Sequence, residues 1–369
     1  MIKNTFIFIV VLTLHFCLSG MVQAFENEDI MIHGFLSQGY LKSDKNNYLG
    51  NSEDGSYEFN EVGINFTVPI TEALRFGVQF FSRDLGDFGN NDFQVDWAFL
   101  DYRWQDYAGF RSGKIKIPFG LYNRHRDADM LRTAILLPQS VYNEAYREMI
   151  ISFQGASLYG MINFGQAGYL DYEVFTGTTD LGVYSEYEFD KLQGGLLVWN
   201  TPVSGLRFAT TYMQADGKAI DTLDLDVSPV QVYSTEFERG PLLISAEYSN
   251  IVAEVEGVKI MDAEGWYAGF SWQVWDWIET GITYSEYYPY SYDKKGKNWE
   301  AIGSPDYYAW QKDTTFSLRF NISEWWAVKL EAHLMNGVAL LDDYPSIVEE
   351  RLGADRDWTL YALKTSLTF

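Results

Sequence analysis

The sequence predicts an all-β fold, a closed antiparallel transmembrane β-barrel of about sixteen strands. Three observations predict it. Apolar residues alternate with polar or small ones at a period of two over segments of about ten residues, as a wall between lipid and water requires. The connections between these segments are alternately short and long. Aromatic residues make up 17% of the chain (26 Tyr, 25 Phe, 12 Trp), yet no apolar run after the first residues could cross a bilayer as a helix.

The alternation is clearest between positions 326 and 334. Trp326, Val328, Leu330, Ala332 and Leu334 fall on one face, and Ala327, Lys329, Glu331 and His333 on the other. Segment 316–322 likewise sets Ser317, Arg319 and Asn321 against Phe316, Leu318, Phe320 and Ile322. Segments 74–80, 170–174 and 242–248 repeat the pattern, and none shows the 3.6-residue period of a helix. The predicted lumen-facing set includes Arg75, Arg207, Arg319, Lys329, Glu331 and His333.

Sixteen such segments occur, at approximately 31–41, 57–68, 74–81, 93–103, 108–117, 151–164, 169–177, 191–200, 206–215, 229–238, 242–248, 265–273, 278–288, 306–321, 325–335 and 357–369. Connections after even-numbered segments are short, such as 69–73, 165–168, 201–205, 239–241 and 322–325. Those after odd-numbered segments are expected to be longer, from roughly ten to thirty residues, the turn-and-loop asymmetry of outer-membrane barrels. All nine prolines are expected at strand ends, turns or loops, since a strand interior needs its N–H groups.

The first residues have a different character. A basic Lys3, an apolar stretch from Phe6 to about Leu18, and Val22 and Ala24 give the layout of a secretory signal peptide over 1–24. The barrel domain is then 25–369. The apolar stretch is short for a spanning anchor, and His15 and Phe16 before Cys17 argue against a lipoprotein site. Cys17 is the only cysteine, so the exported domain has neither a disulfide nor a cysteine metal site. A net charge of −24 excludes nucleic acid as a partner and argues against a polybasic membrane-surface protein.

At the other end Tyr361, Leu363, Leu367 and Phe369 share a face, opposed by Lys364 and Ser366. This ending resembles the C-terminal assembly signal of outer-membrane barrels. With the length and strand number, it makes 25–369 similar to Gram-negative outer-membrane porins of the sixteen-stranded general type. Residues 113–122, GKIKIPFGLY, resemble the phosphate-selective porin O and P group, although that group's arginine ladder and lysine cluster have no residue-by-residue match here. The resemblance implies passive diffusion of ions and small hydrophilic solutes. It also implies a homotrimer in outer-membrane lipid and lipopolysaccharide, recognition of Phe369 by the barrel-assembly machinery, and no cofactor.

It further implies that the longest connection, from about Ile117 to Ile150, folds into the lumen. Leu131, Ile135, Leu136, Leu137 and Val141 suit a packed loop, and 129–137 suggests a short helix. Lys114, Lys116, Arg124, Arg126, Arg132 and Arg147 stand against Asp127, Asp129, Glu144 and Glu148, a local surplus of positive charge in an acidic chain. Opposed across a constriction, these groups would set up a transverse field and govern selectivity. As self-compensating salt bridges they would contribute little each. Arg111 and Lys114 have opposite parity, which requires either a bulge near Gly113 or one outward basic group. Inward Asp171, Glu173, Glu247 and Glu331 favour cations and the basic cluster favours anions, so no ion preference is assigned.

Asp44, Glu53 and Asp54 in the first long loop, and Asp342, Asp343, Glu349, Glu350, Asp355 and Asp357 in the last, could hold Mg²⁺ or Ca²⁺ bridging lipopolysaccharide. A solvated charge run is the favoured reading, with no metal site assigned. Trp104, Trp272, Trp275, Trp277, Trp325 and Trp326 lie by the short turns, where an interfacial girdle is expected. No HExxH, GxSxG, CxxC or phosphate-loop motif is present. His33 and His333, on strands one and fifteen, read as polar lumen side chains rather than catalysts, and His125 lies in the long loop. Two alternatives remain: a channel with a lumen binding site for an anion or sugar, and a secreted aromatic-rich glycan-binding β-protein.

Overall fold

The computed structural model describes residues 30–86, 88–179, 187–219, 222–341 and 353–369. The expected signal peptide and Asp342, Asp343, Glu349 and Glu350 lie outside them. Sixteen strands form in chain order. They are β1 Met31–Ser43, β2 Phe59–Pro69, β3 Leu74–Leu85, β4 Phe88–Gln105, β5 Ala108–Lys116, β6 Ser152–Asn163, β7 Tyr169–Thr179 and β8 Tyr187–Asn200. Then follow β9 Leu206–Ala219, β10 Leu223–Arg239, β11 Leu242–Val255, β12 Val258–Trp275, β13 Ile278–Tyr288, β14 Gln311–Ser323, β15 Trp326–Gly337 and β16 Asp357–Thr368. Each pairs antiparallel with its neighbours in sequence, and β1 closes on β16. Each predicted segment corresponds to one strand.

Closure satisfies the backbone, and the side-chain alternation then decides which face meets lipid. On β15, Leu330 and Leu334 point out and are exposed, while Ala327, Lys329, Glu331 and His333 point in and are buried. Leu36, Val62, Leu100, Phe110, Leu158 and Val174 continue the exposed apolar exterior, far beyond what a water-soluble surface carries. All six tryptophans near the short turns are exposed, with Trp275 stacked on Trp277 and Trp325 on Trp326.

The seam is closed by the last residue. Phe369 and Gly34 exchange two backbone hydrogen bonds of 3.0 Å, and the Phe369 ring lies over Gly34, where an added Cβ would come within 2.3 Å of it. Only glycine admits the ring there.

Two expectations need correction. The connections opposite the short turns are not uniformly long, because β3–β4 and β11–β12 close across only 86–87 and 256–257. These strands continue past the bilayer. β4 and β12 each have 18 residues where about 9–11 suffice to span, so the barrel stands taller and closes in hairpins. Glu256 and Gly257 both have positive φ, the mirror-image geometry such a hairpin needs. In addition, Pro229 lies inside β10 rather than at its start, and the strand accommodates the missing N–H with a register shift between Val227 and Val230.

Candidate functional site: the third loop and the lumen

Residues 117–151 connect β5 to β6 and pass through the barrel interior. Two apolar anchors hold them. Ile117, Phe119, Leu137, Val141 and Tyr142 pack against Phe153, Phe175, Val232 and Tyr267 of β6, β7, β10 and β12. Ile135 and Leu136 pack against Phe59, Leu85 and Leu360 of β2, β3 and β16. Each large apolar side chain buried this way contributes about 1.5–3 kcal/mol. Leu131, expected among the packed residues, is exposed instead. The expected helix over 129–137 shrinks to one 3₁₀ turn at Asp129–Leu131, because the chain extends at Arg132 to reach the far wall.

Polar contacts carry the loop around most of the wall. Gly120 donates to Thr211 on β9 (3.2 Å), and Leu121 donates to Glu247 on β11 (2.9 Å). Tyr122 donates to Glu236 on β10, and Thr133 to Glu279 on β13. The amides of Ile135 and Leu136 donate to the two carboxylate oxygens of Glu331 on β15, at 3.0 and 3.1 Å. Ser140 donates to the Trp266 carbonyl on β12 (3.1 Å), and Arg319 on β14 donates to that of Arg132 (3.4 Å). The loop therefore crosses the lumen from wall to wall.

The charges expected at the constriction separate into three groups. In the first, Asp127 pairs with Arg147 (2.7 Å) and with Lys116, which also meets Asp96 (3.1 Å). Glu144 of the same group joins Arg83 (2.6 Å) and Arg126 (2.7 Å), and Glu148 lies 3.4 Å from Arg147. In the second, Asp129 accepts from Arg132 (2.9 Å), Lys364 (2.7 Å) and Ser366 (2.8 Å), while Lys329 donates to the Asp129 and Ala134 carbonyls. In the third, Arg124 pairs with Glu173 on β7, which also meets Arg111 at 3.3 Å. Burial alone would raise the Glu144 carboxyl, but the adjacent Arg126 and Arg83 guanidiniums outweigh it and bring it to about 2.

Lys114 belongs to none of these groups. β5 keeps its register from Arg111 onward, so Lys114 turns to the opposite face and donates to the Val95 carbonyl (2.6 Å). The groups meet one another and the wall directly, because the apolar anchors press the loop onto the strands. Asp96, Glu236 and Glu279 were not singled out in the sequence. Lys364 was legible from parity, set opposite Tyr361 and Leu363. Asp96 was not, because it sits where the β3–β4 register shifts between Gln79 and Phe80.

The expected lumen-facing residues lie on the inner wall. Arg75 pairs with Asp101 (2.6 Å) and Arg207 with Glu236 (2.7 Å). His333 lies 2.8 Å from Asp313 and 3.2 Å from Glu331, with β16 between its strand and that of His33. Among the described residues no cluster of His, Cys, Asp and Glu could hold a metal. Asp355 is joined to the first loop through Asn46 (2.8 and 2.9 Å).

The loop leaves uneven space. Between its first half and the short-turn mouth lies a chamber of about 600 Å³, lined by Arg75, Arg111, Arg124, Tyr159, Glu173 and Arg207 among others. On two other sides the crevices between loop and wall measure about 20 Å³, room for little more than a water.

No protein-family model and no curated protein matches this sequence. Solved structures do. OmpF of Salmonella typhi in complex with daunomycin is 13% identical, with a TM-score of 0.66 over 94% of this chain and 99% of that one. The anion-selective porin from Comamonas acidovorans is 15% identical, with a TM-score of 0.62 over 92% and 99%. A trimer form of OmpT from Vibrio cholerae is 11% identical, with a TM-score of 0.58 over 92% and 99%. These neighbours do not single out the phosphate-selective group. At such identities the likeness establishes the fold, and the chain is a closed sixteen-stranded barrel of the kind found in Gram-negative outer-membrane porins.

Proposed function

We propose that this protein is an outer-membrane porin, a narrow water-filled passage for passive diffusion of ions and small hydrophilic solutes. The observation that carries the reading is the division of one closed wall into an apolar exterior and a charged interior. Only a membrane makes that division favourable, because lipid takes the greasy face and water the other. The third loop narrows the passage, so permeation is by sieving, without energy input. Lys116, Arg126, Asp127, Asp129, Arg132, Glu144, Arg147 and Glu148 set its width by holding the loop in place, while Arg75, Arg111, Arg124 and Arg207 face the wetter chamber.

The same reading places the protein in outer-membrane lipid beside lipopolysaccharide, exported by a signal peptide over 1–24. Phe369 serves as the signal for the barrel-assembly machinery, consistent with its place at the seam. A homotrimer follows by analogy with the trimer form of one neighbour. Reconstitution into planar bilayers tests the proposal. Stepwise, ohmic openings of small unit conductance are expected. Protein that stays monodisperse without detergent and carries no current would sink it.

A further inference from the structure

We infer that the chamber below the first half of the third loop is a binding site for a neutral polyhydroxylated solute of mono- or disaccharide size. The inference rests on the channel reading and deepens it. A volume of about 600 Å³ lies within the range of small-molecule pockets, about 300–1,000 Å³.

Charge argues for neutrality. The lining holds five guanidiniums (Arg75, Arg103, Arg111, Arg124 and Arg207) and five carboxylates (Glu72, Asp101, Asp106, Asp171 and Glu173). Free phosphate or a carboxylate solute would gain the arginines but meet Asp101 and Glu173 beside them; a cation would meet the reverse. A neutral solute is repelled by neither.

Hydrogen-bonding capacity argues for hydroxyls. Arg111 lies over the Tyr159 ring at 3.9 Å, and the carboxylates Asp101 and Glu173 flank it. Its Nε faces Asp101 Oδ2 at 3.5 Å without completing a hydrogen bond, and the Oε1 of Glu173 is likewise buried with no hydrogen-bond partner within the protein. One is a donor and the other an acceptor, on the same wall of the same cavity. A hydroxyl both donates and accepts, so vicinal hydroxyls match this pair where an ion of either sign satisfies only one. Buried polar groups left without partners are costly, which gives the solute a reason to bind. The carboxylates already orient Arg75 and Arg207, so their free N–H edges stand ready for further acceptor oxygens.

The test is block of ion current by sucrose in bilayers holding the full chain, with polyethylene glycol of equal size and inorganic phosphate as comparisons. Saturable block by sucrose is expected, with the half-blocking concentration raised about tenfold in Glu173→Gln, one unit being the loss of a single good polar contact. Should Glu173→Gln fail to fold, Arg207→Ala at the chamber's open edge should raise it about threefold by the same reasoning. Block that rises linearly and equally with polyethylene glycol, or saturates with phosphate alone, overturns the site. Calorimetric titration of sucrose into the detergent-solubilised chain separates this from the channel reading. Heat of binding without current keeps the site and sinks the channel, and current without heat or block does the opposite.

Discussion

The two sides of the lumen use the same residue types to opposite effect. Under the third loop, at β14–β16 and in the cluster around Arg83 and Arg147, the cations are dry, with Lys329 0%, Lys364 1% and Arg147 1% exposed. In the chamber toward β3–β9 they are wet, the Arg75 side chain being 55% exposed and that of Arg207 38%. A dry pair that loses one partner strands a buried charge at a cost of about 3–5 kcal/mol. A wet pair contributes about 0–1 kcal/mol. The dry side therefore acts as a clamp that gives the loop one position, and the wet side is where passing ions and solutes feel charge.

The largest expected effect comes from removing the contrast altogether. Deleting 124–148 takes away the clamp and the chamber's ceiling together. Unit conductance should rise at least about threefold, given the wide lumen that sixteen strands enclose, and ion selectivity should flatten. An unchanged conductance would mean that this loop does not narrow the passage.

A smaller effect is expected from loosening only the dry side. Asp129→Asn leaves Lys364 and Arg132 with one carboxylate fewer. The clamp should lose up to about 3–5 kcal/mol, seen as open-channel noise and as faster tryptic cleavage after Arg124 and Arg132. Cleavage at the wild-type rate would show that the apolar anchors hold the loop unaided.

On the wet side Arg75→Ala should change loop protection by less than about 1 kcal/mol. Its effect should appear in the reversal potential across a salt gradient, which moves toward cations as Asp101 loses a partner. If Arg75→Ala releases the loop as readily as Asp129→Asn, the division into clamp and chamber is wrong.

How much of this was legible can be followed in particular residues. Parity alone put Lys329, Glu331 and His333 inside, because a lipid-facing wall leaves no freedom of face. Parity also set Lys114 against Arg111, and the unbroken register of β5 resolved that pair in favour of an outward lysine. Asp96 escaped because a one-residue register shift reverses parity without any mark in the sequence. The hairpins at 86–87 and 256–257 escaped because alternation weakens above the bilayer, where both faces of a strand meet water.

The sequence by itself determined the barrel: sixteen strands, the face each turns to lipid, and a long charged segment after the fifth. These follow from local periodicity against a solvent that differs on the two sides. Only the tertiary structure decided what that segment does inside. Whether its charges face one another across water or close onto the wall depends on where Ile117, Phe119, Ile135 and Tyr142 find apolar partners on strands far away in sequence. Such long-range packing leaves no period behind to be read.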